Sequence, residues 1–264
     1  MGVALVTGGS QGVGRGIVEG LAEAGHEVFF TGRSAERLAQ TADAARALGG
    51  RVFPRCVDHG DDEQVAALFA EIGAQHDLEL LINNVWGGYE NMVEDGRFTW
   101  PDAFWKQPIW RWDAMMSIGV RAAFVAAQFA TRLMLERSRG LIVNISFWAA
   151  QKHVGNALYG MAKAATDKMT ADMAVELGVH EINVVSLYPG LVRTEKVLAN
   201  AEHLDLSGSE SPRFIGRTVA ALHRNLTMAK RLTGRVCVAA QVARDLEVVD
   251  VDGTSPVPLT LSNV

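Results

Sequence analysis

The segment Thr7-Gly8-Gly9-Ser10-Gln11-Gly12-Val13-Gly14 lies between an apolar run, Val3-Ala4-Leu5-Val6, and a stretch of helical periodicity. Few folds admit that order. Glycines let a strand turn straight into a helix and let the backbone approach a pyrophosphate. The orphan N–H groups of the helix N-terminus then meet its charge. A plain tight connection would use glycine too, but the strand before, the helix after and the position at the head of the chain favour the phosphate-binding reading. No Lys-Ser/Thr pair follows, which excludes a P-loop. Gly8, Ser10, Gln11, Gly12, Val13 and Gly14 are therefore expected to face a dinucleotide.

Beyond this turn, short β-branched runs alternate with longer helix-periodic segments. Strands are predicted at 3–7, 27–31, 51–57, 78–83, 141–146, 182–187 and 235–238. Helices are predicted at 12–24, 35–48, 61–75, 112–137, 156–177 and 212–225, the last behind a Ser209/Ser211 cap. This alternation predicts an α/β fold: one Rossmann-type domain, a doubly wound parallel sheet with helices on both faces. A chain of 264 residues suits one such domain, and no linker or repeat divides it. Two stretches break the rhythm. Residues 85–111 form an aromatic-rich insertion holding Trp86, Trp100, Trp105 and Trp110, and residues 194–211 read as a polar, mobile substrate loop.

The formal charge of −5 argues against a nucleic-acid partner, and two cysteines suit a reducing compartment. No apolar run in the sequence approaches the ~20 residues of a membrane span. The first residues enter a strand at once, unlike a signal or transit peptide, and Val6 stands where a myristoylation motif wants Ser or Thr. A cytoplasmic location is expected. His26, His76 and His223 read as surface residues, and no spacing suggests a metal site.

Tyr159-Gly160-Met161-Ala162-Lys163 opens a helix and puts Tyr and Lys on one face, one turn apart. An ammonium so close is expected to pull the phenol's pKa down toward working pH, making it an acid/base group. Alone, the pair could be an ordinary surface contact. Ser146, at the carboxyl end of a strand where open α/β sheets bind ligands, gives it a partner able to donate to a substrate oxygen.

The glycine turn with Ser146, Tyr159 and Lys163 resembles the short-chain dehydrogenase/reductase family. The resemblance implies hydride transfer between a nicotinamide cofactor and a carbonyl or alcohol carbon, with Lys163 also a ribose ligand. It further implies cofactor contacts for Asp58, for Asn84 in Asn83-Asn84, and for Pro189, Gly190, Val192 and Thr194 of the Pro-Gly turn. Asp58 reads equally as the N-cap of the next helix. At the end of the second strand, Thr31-Gly32-Arg33-Ser34 offers Arg33 where an NAD site usually has an acid. Arg33 either grips the 2′-phosphate of NADP or is simply solvated. NADP(H) is favoured and NAD(H) stays open.

Two departures stand out. Val85-Trp86 replaces the family's Ala-Gly, and Gly119 stands where the family's helix has a catalytic Asn. Glycine permits a helix kink and keeps its carbonyl, so the relay attributed to that Asn is expected to survive. The segments 103–105, 119–121, 188–195, 209–212 and 250–253 point to one branch of the family.

Trp86, Phe147, Trp148 and Tyr188 adjoin these motifs and predict an aromatic-lined pocket for a hydrophobic ketone, aldehyde or secondary alcohol. Trp100, Trp105 and Trp110 read either as more of that pocket or as packing of the insertion. The Ala/Met-rich faces of 112–137 and 156–177 suggest a homodimer or homotetramer, or burial within the monomer. The alternative to catalysis is a nucleotide-sensing protein on the same fold.

Overall fold

The computed structural model describes residues 2–264. Strands β1 (Val3–Val6), β2 (Glu27–Gly32), β3 (Arg51–Cys56) and β4 (Leu78–Asn83) come first. A hairpin of β5 (Val93–Glu94) and β6 (Arg97–Phe98) follows, then β7 (Gly140–Ile145), β8 (Ile182–Tyr188) and β9 (Val236–Val238). One parallel sheet takes seven of them in the order β3-β2-β1-β4-β7-β8-β9. Each predicted strand is present to within one residue at either end.

The sheet is buried on both faces, and strand alternation divides the core in two. Ala4 and Val6 join Ile17, Leu21 and Phe214 in one layer, while Val3 and Leu5 join Phe69 and Ile72 in the other. A slip of one residue would exchange the layers, so pairings such as Val6 with Ile82 are firmly determined. The order of strands reverses beside β1, between β1 and β4. The crevice beyond their carboxyl ends is where a doubly wound sheet binds its ligand.

Helices α1 (Gly12–Glu23), α2 (Ala35–Ala47), α3 (Asp62–Gln75), α4 (Trp110–Leu135) and α5 (Ala157–Leu177) lie where periodicity predicts them. Past α5 come the short α6 (Glu195–Leu198), then α7 (Pro212–Arg224), α8 (Leu226–Leu232) and α9 (Ala239–Asp245). Periodicity foretold α7 but not α6, α8 or α9, each too short for the pattern to register. Ser211 caps α7 by accepting the Phe214 N–H at 3.0 Å, whereas Ser209 donates to the Leu206 carbonyl. Asp61, not Asp58, caps α3, accepting from Glu63 and Gln64.

By length and composition α4 could cross a membrane, although the sequence showed no such uninterrupted run; here Ala126, Ala130 and Met134 pack it into the core with Leu81 and Ile142. After a first α-turn, its residues Asp113–Arg121 are wound as a π-helix that contains Gly119, a distortion that glycine permits.

The insertion is more ordered than a plain loop. It holds the β5–β6 hairpin and a 3₁₀ turn, Phe104–Lys106, gathered around the fully buried Arg111. That guanidinium donates to Thr99 Oγ1 (2.8 Å), the Thr99 carbonyl (3.2 Å) and the Asn91 carbonyl (3.3 Å). His26 and His223, expected at the surface, are buried and bonded ring to ring at 3.1 Å, because α7 packs closely along α1 and brings its last turn to the residues that follow that helix.

Candidate active site

The glycine turn has the backbone a phosphate cradle needs. Gly8 and Gly12 have φ of +66° and +56°, and a Cβ on Gly14 would stand 2.1 Å from the Gly8 carbonyl oxygen. At the head of α1 the Gly12 N–H donates to Glu195 Oε2 at 3.0 Å. A carboxylate thus already rests on the helix terminus, which is the chemistry a pyrophosphate would use there. The bare backbone of Gly8, Gly12 and Gly14 at the helix terminus suits a pyrophosphate. Thr194, the N-cap of α6, lies across Gly12, where an added Cβ would meet Thr194 Cγ2 at 3.6 Å.

Other predicted cofactor residues divide into two groups. Gln11 accepts from Arg37 at 2.5 Å, and Arg33 pairs with Glu90 of the insertion at 2.5 Å, so two guanidiniums stand near the end of β2. Arg37 was missed in the sequence, although it sits in the first turn of α2, four residues after Arg33. Ser10 Oγ lies against Gly32, where a Cβ would come within 2.6 Å. Asp58 bonds the Gly60 N–H at 2.9 Å.

The second group faces inward. Val13 packs on the core, and Asn84 donates to the Gly8 carbonyl at 3.0 Å, bracing the cradle from beneath. Its amide is therefore spent on the glycine turn. Pro189 is buried, Val192 bridges to Glu210, and the Gly190 N–H donates to Glu210 Oε2 at 2.8 Å. Burial raises the Glu210 carboxyl to about 7. Glu210 belongs to one of the branch segments, where nothing in the local sequence marks it for this contact.

Asn156 positions the Tyr-Lys helix. Its side-chain oxygen caps α5 by accepting the Tyr159 N–H at 3.1 Å, and its amide donates to the Trp100 carbonyl at 2.9 Å. The insertion is thereby pinned to the start of α5, and the Tyr159 ring sits among aromatics. Ring centroids lie at 5.3 Å for Trp100, 5.6 Å for Trp86, 6.1 Å for Tyr89 and 6.3 Å for Phe147. Tyr89, which sequence reasoning missed, donates its hydroxyl to the Tyr159 oxygen at 3.0 Å. Nothing local marks it, since the contact spans a long loop.

Ser146, at the end of β7, is buried and bonds the Lys163 carbonyl at 3.4 Å. Lys163 Nζ donates to the Ile145 carbonyl at 3.1 Å and lies 4.2 Å from the centre of the Trp86 ring. Burial pulls its ammonium down to about 8, against the attraction of Asp167.

Two expectations need correction. Lys163 does not lower the Tyr159 phenol here: burial, and then Tyr89, hold it well above its ordinary value, because the ammonium is turned to Ile145 and Trp86. Tyr188 is not a pocket wall. It is fully buried, its hydroxyl bonded to Asp167, and Trp148 packs edge-on against it at 5.2 Å. Among the tryptophans left open, Trp100 is 9% exposed and Trp105 is 72% exposed.

Residues 2–204 match the family model described as short chain dehydrogenase. The chain is 35% identical to "Dehydrogenase/reductase SDR family member 1" of Mus musculus, over 95% of this chain and 83% of that one. Against the Homo sapiens protein of that name it is also 35% identical, over 99% and 87%. The crystal structure of a hydroxysteroid dehydrogenase from Escherichia coli superposes with a TM-score of 0.75 at 22% identity, over 89% of this chain and 94% of the other, a likeness of fold. The chain therefore belongs to the short-chain dehydrogenase family, in the neighbourhood of SDR family member 1, and is an NAD(P)-dependent oxidoreductase acting on CH–OH and C=O groups.

Proposed function

We propose that the chain reduces hydrophobic ketones or aldehydes with NADP(H), or oxidises the corresponding secondary alcohols, using Tyr159 as acid/base, Lys163 as its electrostatic partner and ribose ligand, and Ser146 as donor to the substrate oxygen. The nicotinamide, when bound, supplies or accepts the hydride. One observation carries the reading: a buried phenol, neutral and able to donate, is surrounded by the rings of Trp86, Tyr89, Trp100 and Phe147.

The Tyr89 hydroxyl, 3.0 Å from that of Tyr159, marks where a substrate oxygen would accept the proton. Tyr89 must then swing aside, which its place in the insertion allows. In the reduction direction a phenol kept protonated is the required state. In the oxidation direction Lys163 has to approach it, since a nearby ammonium favours the phenolate.

Gly8, Gly12 and Gly14 with the head of α1 would hold the pyrophosphate, and Glu195 would give up its bond to Gly12. Arg33 and Arg37 supply two cations for a 2′-phosphate, which supports NADP(H) over NAD(H). Residues 85–111 and 194–211 would then form the substrate side, the latter moving with α6. A homodimer or homotetramer is supported by exposed Phe124, Leu135 and Val175 on α4 and α5. A cytoplasmic setting agrees with two free cysteines. The nucleotide-sensing alternative finds no support, since Ser146, Tyr159 and Lys163 are all retained.

The test is a screen of hydrophobic ketones and aldehydes with NADPH and NADH. Turnover that disappears in Tyr159→Phe is expected. Near wild-type turnover in that variant would refute the mechanism, and a preference for NADH would remove the role given to Arg33.

A further inference from the structure

We infer that Trp86 and Gly119 act as one unit, in which the Trp86 indole is a positioning residue for the Lys163 ammonium and Gly119 is bare so that the ring can lie there. The inference rests on the reaction proposed above.

The ring occupies a slot with no room for side chains. A Cβ on Gly119 would stand 2.6 Å from Trp86 Cζ3 and 2.7 Å from Cε3, and one on Gly88 would stand 2.6 Å from Cζ2. Real Cβ atoms do not approach so closely, so any other residue at 119 must expel the ring or distort the π-wound part of α4. One edge of the indole therefore rests against bare helix backbone. Its face receives Lys163 Nζ at 4.2 Å, and the Tyr159 ring stands across from it at 5.6 Å, inclined by 64°.

Lys163 needs such a partner. It is 7% exposed, and among the described residues its ammonium makes one hydrogen bond, to the Ile145 carbonyl, with no carboxylate within salt-bridge distance. An ammonium with three N–H groups and one acceptor is under-satisfied in a buried site. The negative face of an indole is the strongest aromatic substitute, and shielded from water such a contact changes an equilibrium by a factor of about 30. Trp86 thus holds the ammonium in one place, 5.9 Å from the centre of the Tyr159 ring, without adding a titratable group. Gly119 is the complementary half, far away in sequence but required by the same ring.

This separates two roles for Trp86. A pocket wall acts through substrate binding and changes KM, whereas a residue that positions Lys163 acts through kcat. The experiment compares Trp86→Phe, Trp86→Leu, Trp86→Ala, Gly119→Asn and the double variant Trp86→Ala/Gly119→Asn. It measures steady-state kinetics with NADPH and a hydrophobic ketone, and thermal unfolding of the unloaded chains.

Trp86→Phe, which keeps an aromatic face, is expected to retain kcat within about 3-fold. Trp86→Leu, which keeps apolar bulk alone, should lose about 10- to 30-fold in kcat with KM nearly constant. Gly119→Asn should lower Tm by on the order of 5 °C with Trp86 present, and by much less with Ala at 86. Equal kcat for Phe and Leu, or a change confined to KM, would overturn the positioning role. Additive Tm changes would overturn the pairing. A wild-type chain inactive on every carbonyl, with thermal coupling intact, would count against the proposed reaction and in favour of the pair.

Discussion

Asn156→Ala is expected to loosen the catalytic helix and the insertion together, because one side chain serves both. Losing the acceptor for the Tyr159 N–H removes an N-cap worth about 1 kcal/mol. Losing the donor to the Trp100 carbonyl leaves that oxygen with only a 3.3 Å contact from Gln107, at the low end of the penalty for an unsatisfied buried acceptor, about 1 kcal/mol. The sum, about 2 kcal/mol, corresponds in a chain of this length to a Tm lower by roughly 4–8 °C. Activity should fall further than stability, since Tyr159 sits in the first turn of α5 and a displacement near 1 Å at a reacting group lowers rate by about 100-fold. Asn156→Asp separates the two functions: it keeps the cap and lacks the donor, so about half the Tm loss should return. Calorimetry on both variants, with steady-state kinetics on the same preparations, checks this. An Ala variant with unchanged Tm and unchanged kcat would refute the view that Asn156 sets the position of Tyr159.

Three further outcomes are expected. Arg33→Ala and Arg37→Ala should each raise KM for NADPH about 10-fold while leaving NADH nearly unaffected, as removal of a charge-assisted phosphate contact does; equal effects on both cofactors would contradict the assignment. Arg111→Leu leaves the Thr99 and Asn91 carbonyls short of a donor and should reduce stability by about 2–4 kcal/mol, with proteolytic cleavage appearing within 85–111; an unchanged denaturation midpoint would count against the clamp. Stability should fall on acidification from about pH 6.5 to 4. Burial holds His59 and His223 at about 4 when folded, so in that window the unfolded chain binds the extra protons, up to about 3 kcal/mol for each histidine. Glu210, raised to about 7, works in the opposite sense between about pH 4.5 and 7, so Glu210→Gln should steepen the acid loss seen in urea titrations; a flat profile in that variant would refute the histidine account.

What the sequence alone determined is what short-range chemistry encodes. The parallel sheet was legible because β-branched runs of strand length alternate with helical periodicity, and its register follows from which residues are apolar. The cradle was legible because a positive φ at Gly8 and Gly12 and contact at Gly14 demand glycine at specific positions. Tyr159 and Lys163 were legible because four residues make one helical turn.

Only the tertiary structure decided where side chains from distant segments meet. It set the Lys163 ammonium on the Trp86 ring, sank Tyr188 onto Asp167, brought Tyr89 to the Tyr159 hydroxyl, and joined His26 to His223 across the chain. It also sorted the tryptophans, burying Trp100 and leaving Trp105 in solvent. The reason is physical: crossovers of the sheet and the path of a long insertion choose these neighbours. Periodicity reports which face of an element is apolar but not which remote residue will lie against it.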